Sequence, residues 1–376
     1  MSLDTVLLDF LIFPLILFIL EVIGLKFYKV VSFILVACLS LLFMTSCIPG
    51  EDVKEPQTQA KSFYEYFDTV SVVFSYKGDP QADFEQNCAE VEKILKEYHQ
   101  LFDIYYEYAG VNNLKTINKN AGKAPVKVDK KLIDFLLYCK EIYSLTNGET
   151  NIAMGAVLKL WHDARENAEY DPEKANIPSP DMLENASEHC NIDNLIINEE
   201  DGTVYLSDPE MSLDVGAIGK GYAAEMAAQY LIEHGVTSYV LNIGGNIRAI
   251  GEKVTGDGWI TGITNPDKTS SESFVCKVII KDISLVTSGD YERYFIVDGE
   301  KYHHIIDKDT NMPSVHFSSV SVFTEDSGLA DALSTTLFCM RYEEGLKLIE
   351  NIGNIDVIWV YPDGTVKMTD RIVLSE

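Results

Sequence analysis

A chain of 376 residues is long enough for one large domain or two ordinary ones, and 47% hydrophobic with 23% charged residues is a globular composition that excludes wholesale disorder. A formal net charge of −28 argues against a nucleic-acid partner, since a phosphate backbone would be repelled. It also makes Lys220, Arg248 and Arg293 scarce cations, so an anion site here needs them placed locally.

The N-terminus reads as an export signal. Lys26 and Lys29 precede an apolar run over residues 30–44, and Met44-Thr45-Ser46-Cys47 follows. Small residues before a cysteine at the end of a short apolar run are similar to a bacterial lipoprotein signal, with Cys47 lipidated and first in the mature chain. A transmembrane anchor with an incidental cysteine is the alternative. A second apolar run over residues 6–25 is interrupted by Asp9, Pro14 and Glu21, which places residues 1–24 ahead of the expected translation start. The expected division is therefore residues 1–46 as signal, 47–61 as a tether rich in Glu, Pro, Gln and Thr, and 62–376 as the folded domain. The expected location is the outer face of the bacterial cytoplasmic membrane, lipid-anchored.

Past the tether, residues 67–76 alternate as a strand, residues 80–103 have helical periodicity, and residues 130–146 make an amphipathic helix stopped near Gly148. Residues 162–190 are polar and carry prolines, as a surface excursion of short helices does. Met211–Val215 has the pattern of a short buried strand. Strand-like runs then dominate, at 195–197, 204–206, 239–243, 259–264, 274–280, 294–297 and 318–323, with helices interleaved at 222–234, 329–340 and 343–352. Without regular strand–helix alternation, the expected fold class is α+β. Cys88, Cys139, Cys190, Cys276 and Cys339 are scattered with no C-x-x-C spacing, so free thiols are expected; Cys38 lies in the signal.

The most informative stretch is Ser212–Ala224. A strand end, Gly216, Gly219 and Gly221, and then a helix start together make an anion site, in which backbone N–H groups and the helix N-terminus face a phosphate. Lys220 adds a full positive charge, and Asp214 is placed to accept from a ligand hydroxyl or ring N–H. A plain strand-to-helix turn with a surface lysine fits the same residues. Gly244 and Gly245 interrupt a strand-like run, which suggests either the close passage of a flat ligand or a bulge. Thr287 and Ser288, in a polar turn ending at Arg293, can donate to phosphate oxygens. His303 and His304 stand together at a strand end, where an imidazole can relay a proton. Asp331 and Thr335, spaced i and i+4, share a helix face on which a carboxylate and a hydroxyl can hold one hard cation, provided other oxygens complete its shell. A helix cap is the simpler reading of that pair.

Taken together and in this order, the motifs resemble the ApbE-type FAD:protein FMN transferases, from roughly Phe63 to the C-terminus. The resemblance rests on Phe67-Asp68-Thr69 in the first strand, Asn118 in Thr-Ile-Asn, Asp214–Tyr222, Asn242–Gly251, Thr287–Arg293, His304–Asp307 with Pro313, and Ala330–Leu337. It implies mixed sheets with packed helices, in two subdomains that form a flavin-nucleotide cleft. It also implies that FAD is split at its pyrophosphate, FMN is joined to a threonine or serine hydroxyl of an acceptor flavoprotein, and AMP leaves. By the same resemblance Mg²⁺ is the cofactor, held by the backbone oxygen of Ala217 and the side chains of Asp331 and Thr335. Asp214, Lys220, Gly244, Gly245, Thr287 and Ser288 become flavin-nucleotide contacts, Tyr105 an aromatic lining the nucleotide pocket, and His304 the proton acceptor, with His303 beside it in no such role. Asn151 stands where many relatives have aspartate; it can still accept and donate at the cofactor but carries no charge. The implied acceptor is a subunit of a membrane redox complex (a sodium-pumping quinone reductase or the Rnf type) or an exported flavoprotein. A FAD pyrophosphatase would use the same cradle with water as acceptor. A flavin-binding lipoprotein without catalysis would need neither Lys220 nor the Asp331/Thr335 pair.

Overall fold

The computed structural model describes residues 57–76 and 83–375. Cys47, the signal and most of the expected tether lie outside them. Two strands come first, β1 (Thr58–Phe63) and β2 (Ser71–Tyr76), then helices α1 (Phe84–Phe102) and α2 (Leu114–Lys119). There follow β3 (Val126–Lys127), α3 (Lys130–Leu145), α4 (Gly155–Tyr170), α5 (Pro180–Ser187), β4 (Leu195–Asn198), β5 (Thr203–Leu206) and α6 (Gly219–Glu233). Six strands run next: β6 (Ser238–Ile243), β7 (Asn246–Gly251), β8 (Trp259–Thr264), β9 (Phe274–Ile280), β10 (Ser284–Gly289) and β11 (Tyr294–Val297). The chain closes with β12 (Glu300–His303), β13 (Ser319–Thr324), α7 (Ser327–Cys339), α8 (Tyr342–Ile352), β14 (Asp356–Val360) and β15 (Val366–Met368).

Eight strands form one sheet in the order β1-β2-β6-β7-β10-β13-β14-β15, and each neighbouring pair is antiparallel. Smaller sheets pair β3-β5-β4, β8-β9 and β11-β12. This is the expected α+β class. The large sheet is covered on both faces, and period-two alternation decides which residue goes where. On β13, Val320 and Val322 join Leu333, Leu337 and Phe338 of α7, whereas Phe323 points to the other face with Trp259 and Val278 of the β8–β9 hairpin. The helices show the complementary period. In α3, Leu132, Ile133, Phe135, Leu136, Cys139 and Ile142 are buried on one stripe, and Asp129 caps the start by accepting from Lys131 N–H at 2.8 Å.

Several expectations change. Thr58–Lys61, read as tether, belong to β1. An edge strand with only Phe63 buried has the polar composition of a linker, which is why it was legible only as one. Phe67 and Asp68 are a left-handed turn at φ 57° and 51°, ahead of β2 and outside any strand. Met211–Val215 forms no ladder. It is extended backbone with Met211, Leu213 and Val215 buried, tied by a lone bridge from Ser212 to Met154. Residues 162–190 are less fragmented than expected, because His162 sits inside the 16-residue α4. Gly244 and Gly245 are the two-residue turn of the β6–β7 hairpin, at φ 59° and 93°, the mirror-image turn that suits twisted strands. Thr287 and Ser288 lie inside β10, opposite Ser321 and Val320 of β13, and the polar turn begins only at Asp290. The five described cysteines are free, as expected.

Candidate active site

The site is built where α6 and α7 cross. Asp214 is the last polar residue of the extended segment before α6, and two neighbours hold that segment. Asn118 at the end of α2 pairs with Leu213 as a strand residue would: its Nδ2–H donates to Leu213 O at 2.9 Å and its Oδ1 accepts from Leu213 N–H at 2.8 Å. Asp214 N–H then donates to Ile152 O at 2.9 Å. The Asp214 carboxylate accepts from Gly216 N–H at 2.8 Å. Burial pushes its pKa up, opposed by the Gly216 N–H and by the nearby His162 and Arg293.

Helix α6 begins at Gly219, three residues earlier than the sequence pattern indicates, and its glycines serve packing. A Cβ on Gly221 would lie 2.2 Å from Ser327 O and 2.5 Å from Asp331 Cβ, so only glycine permits this crossing. The close approach lets Gly221 N–H donate to Asp331 Oδ2 at 2.8 Å, while Lys220 Nζ stands 3.5 Å from Asp331 Oδ1. Gly221 is the residue whose N–H would reach back to Ala217 O in a continued helix. Its diversion to Asp331 leaves the Ala217 carbonyl outside the helical ladder. On the next turn of α7, Thr335 Oγ1 lies 3.1 Å from Ser288 Oγ, which also meets Ser334 Oγ at 2.8 Å. Thr287 is turned away onto Ser321 at 2.7 Å. The Ala217 carbonyl, Asp331, Thr335 and Ser288 thus supply oxygen donors with one carboxylate. Among the described residues no group of three or more His, Cys, Asp or Glu could hold a metal ion, so a cation bound here relies on neutral oxygens and on ligand phosphates.

The two histidines separate clearly. His303 is buried and both its nitrogens are engaged: Nε2–H donates to Ser314 O at 2.7 Å, and Nδ1 accepts from Ile305 N–H at 3.2 Å. His304 holds the backbone of the β10–β11 turn, with its Nδ1 3.2 Å from Arg293 O. A carbonyl can only accept, so Nδ1 carries the proton and Nε2 is left with a free lone pair. Burial, reinforced by the Arg293 guanidinium, pushes the imidazole pKa down to about 3, so the ring is neutral at physiological pH. Asp307 fixes the following turn by accepting from Asp309 and Thr310 N–H at 2.8 and 2.9 Å.

Tyr105 is 46% exposed on the loop after α1, which Asp103 shapes by accepting from Tyr105 and Tyr106 N–H at 2.6 and 2.9 Å. Its ring lies against His162, centroids 5.2 Å apart. Burial pushes its hydroxyl up to about 12; Asp214 adds to the shift, and Arg165 and Arg293 oppose it. Tyr105, Asp214, Arg293 and His304 therefore share one electrostatic neighbourhood. Arg165, which the sequence did not single out, belongs to it as well and donates to His162 Nδ1 at 2.8 Å. Nothing marks it in the sequence beyond its place four residues after the buried Trp161 on α4. Asn151 spends its amide on the backbone, donating to Cys190 O and accepting from Ala153 N–H, both at 2.9 Å. A Cβ on Gly244 would sit 2.5 Å from the Thr69 side chain, whereas around Gly245 there is open space. Arg248, counted among the scarce cations, is committed to a buried pair with Glu225 at 3.3 Å.

Residues 68–359 match the ApbE family. The chain is 33% identical over 320 residues to a FAD:protein FMN transferase of Treponema pallidum (strain Nichols), covering 81% of this chain and 85% of that protein. It is 31% identical over 274 residues to one of Klebsiella pneumoniae (strain 342), covering 73% and 81%. Among solved structures it is similar to the ApbE protein of Thermotoga maritima, with a TM-score of 0.72 at 25% identity over 84% of this chain and 97% of that one. The flavin transferase ApbE from Vibrio cholerae gives a TM-score of 0.69 at 25% identity, with the same 84% and 97% coverage. Since the matched span takes in Asp214, Lys220, His304 and Asp331 in the arrangement just described, the chain belongs to the ApbE family.

Proposed function

We propose that this protein is a transferase that moves FMN from FAD to a threonine or serine hydroxyl of an acceptor flavoprotein and releases AMP. The observation that carries this reading is His304. Its Nδ1–H is pinned to Arg293 O, which leaves an unprotonated Nε2, and the Arg293 guanidinium acts on both His304 and Asp214. The acceptor hydroxyl gives its proton to that nitrogen as its oxygen bonds to the FMN-side phosphorus. The bond from that phosphorus to the bridging oxygen breaks, and AMP departs with the bridging oxygen. Binding of the anionic pyrophosphate raises the imidazole pKa from its low value in the free protein, which strengthens the base only when substrate is in place. Lys220 and Ser288 bind the pyrophosphate and offset its developing charge.

Mg²⁺ fits the donor set. Ala217 O, Asp331 and Thr335 would hold it, as hard oxygen donors with a single carboxylate suit a cation that keeps waters and phosphate oxygens. When bound, it supplies positive charge at the scissile pyrophosphate. Tyr105, backed by His162, offers a ring face to the nucleotide. We further assign Cys47 as a lipidation site that anchors the protein at the outer face of the cytoplasmic membrane. The acceptor is then a subunit of a membrane redox complex of the sodium-pumping quinone reductase or Rnf type, or an exported flavoprotein. No helix among the described residues is long and apolar enough to cross a membrane. The test is incubation with FAD, Mg²⁺ and an acceptor subunit. Covalent flavin fluorescence in a denaturing gel supports transfer; AMP and free FMN without labelled acceptor would make the enzyme a pyrophosphatase, and intact FAD would leave a carrier.

A further inference from the structure

Helices α6 and α7 exchange carboxylates at their N-termini. Each begins with N–H groups that have no partner within its own helix. Asp331, on the second turn of α7, accepts from Gly221 N–H of α6 at 2.8 Å. Glu225, one turn beyond Gly221 on α6, accepts with Oε2 from Ser327 N–H, the first residue of α7, at 3.0 Å. Gly221 and Glu225 are four apart, as are Ser327 and Asp331, so the two bonds form a reciprocal clamp across one contact. The backbones are close enough there that a Cβ on Gly221 would strike Ser327 O.

Glu225 is itself held from every side. Its Oε2 also faces Arg248 Nε of β7 at 3.3 Å, and its Oε1 accepts from Gln229 Nε2 at 2.6 Å. Arg248 continues outward to Asp282 at 3.4 Å. Glu225 and Arg248 side chains are only 6% and 5% exposed, so the pair is desolvated and its geometry is not exchanged with water. A buried ion pair adds little net stability over an apolar pair of similar volume, but it specifies one arrangement where several packings of two small-residue helices would otherwise compete. The arrangement specified here turns Asp331 so that Oδ2 is occupied by Gly221 N–H while Oδ1 lies 3.5 Å from Lys220 Nζ.

We infer that Glu225, supported by Arg248, is a positioning residue for the cation-binding carboxylate: it sets the register of α7 against α6 in which Asp331 Oδ1 is available. This rests on the reading of Asp331 as a Mg²⁺ ligand. The probe is Mg²⁺ alone, without FAD, on the full-length protein in detergent, following the thermal unfolding midpoint against Mg²⁺ concentration. The wild-type midpoint should rise saturably, and Asp331→Ala should abolish the rise. The double variant E225Q/R248M removes the pair together and leaves no buried charge unmatched. Its half-saturating Mg²⁺ concentration should increase roughly 10- to 100-fold, the scale for groups that orient metal ligands. Glu225→Asp keeps the charge opposite Arg248 but shortens the reach to Ser327, and should shift the same concentration several-fold, with turnover recovered at high Mg²⁺. If both Glu225 variants merely unfold earlier, with half-saturation unchanged, the positioning role is overturned. A wild-type response from Asp331→Ala, or none from the wild type either alone or with saturating FAD, instead overturns the cation site itself.

Discussion

At the scale of single residues, adjacent histidines divide two jobs according to what each nitrogen touches. His304 keeps Nε2 free, so His304→Ala should lower the transfer rate by at least roughly a hundredfold, the scale of general-base help, with FAD affinity little changed. A FAD titration alongside flavin incorporation into an acceptor separates the two effects. His303 has no free nitrogen. His303→Ala leaves Ser314 O and Ile305 N–H without partners, and should cost about 1–3 kcal/mol of stability while transfer proceeds near the wild-type rate. The low pKa of His304 also has a signature in stability. Folding depresses it from 6.5 to about 3, so between those values the unfolded chain binds more protons and the native state is destabilised as pH falls. Below pH 3 both states hold the proton and this contribution stops changing. In His304→Gln the loss of stability on acidification from pH 6.5 should be shallower, by up to about 1.4 kcal/mol per pH unit for one proton. Denaturant unfolding across that range measures it, and identical slopes in the two proteins would count against an imidazole held neutral by the fold.

Elements place these residues with contacts that sequence patterns express unevenly. Asn118 shows how far the fold depends on one side chain: it stands in for a missing strand partner and holds Leu213 from both sides, directly before Asp214. Asn118→Ala should cost about 1–3 kcal/mol through the two backbone groups left unmatched, and should weaken FAD binding because Asp214 loses its backing. Thermal unfolding and FAD titration in parallel check this; a loss of stability with undiminished FAD affinity would detach Asp214 from the ligand. The Asp331/Thr335 pair was legible beforehand because i,i+4 spacing fixes a shared helix face whatever the tertiary context. The α+β class was legible too, from strands that do not alternate regularly with helices. What escaped was decided by long-range contacts. Gly219 and Gly221 read as a phosphate loop, yet Gly221 is required by Ser327 O, which is 106 residues away in sequence (327 − 221). The Gly244-Gly245 pair read as an interruption of one run, although Gly-Gly between two strand-like runs is itself a two-residue hairpin signal. Arg165 and Glu225 gave no signal at all, since each acts only through neighbours that the fold brings to it.

For the whole molecule, the acidic charge and the proposed anchor have to be weighed together. A net charge of −28 repels an anionic membrane surface, so no electrostatic attraction of the folded domain can hold the protein there. Under the proposed anchor, association comes instead from buried hydrocarbon, at about 0.8 kcal/mol per CH₂ of a chain attached at Cys47. A lipid on Cys47, eleven residues before Thr58 in sequence (58 − 47), would favour acceptors held at the same membrane. Cys47→Ala should therefore release the protein into the soluble fraction, or leave it as an uncleaved precursor of higher mass, because both lipid attachment and cleavage depend on the thiol. The wild type should resist extraction by high salt, which screens charge but leaves acyl chains buried, and should yield to detergent. Membrane fractionation with intact-mass measurement distinguishes these outcomes. A Cys47→Ala protein with unchanged mass and unchanged membrane partition would assign retention to the apolar run over residues 30–44 acting as a transmembrane anchor. Transfer to an acceptor in solution should survive in a released, correctly cleaved form, because none of the residues placed around Asp331 and His304 involves the anchor.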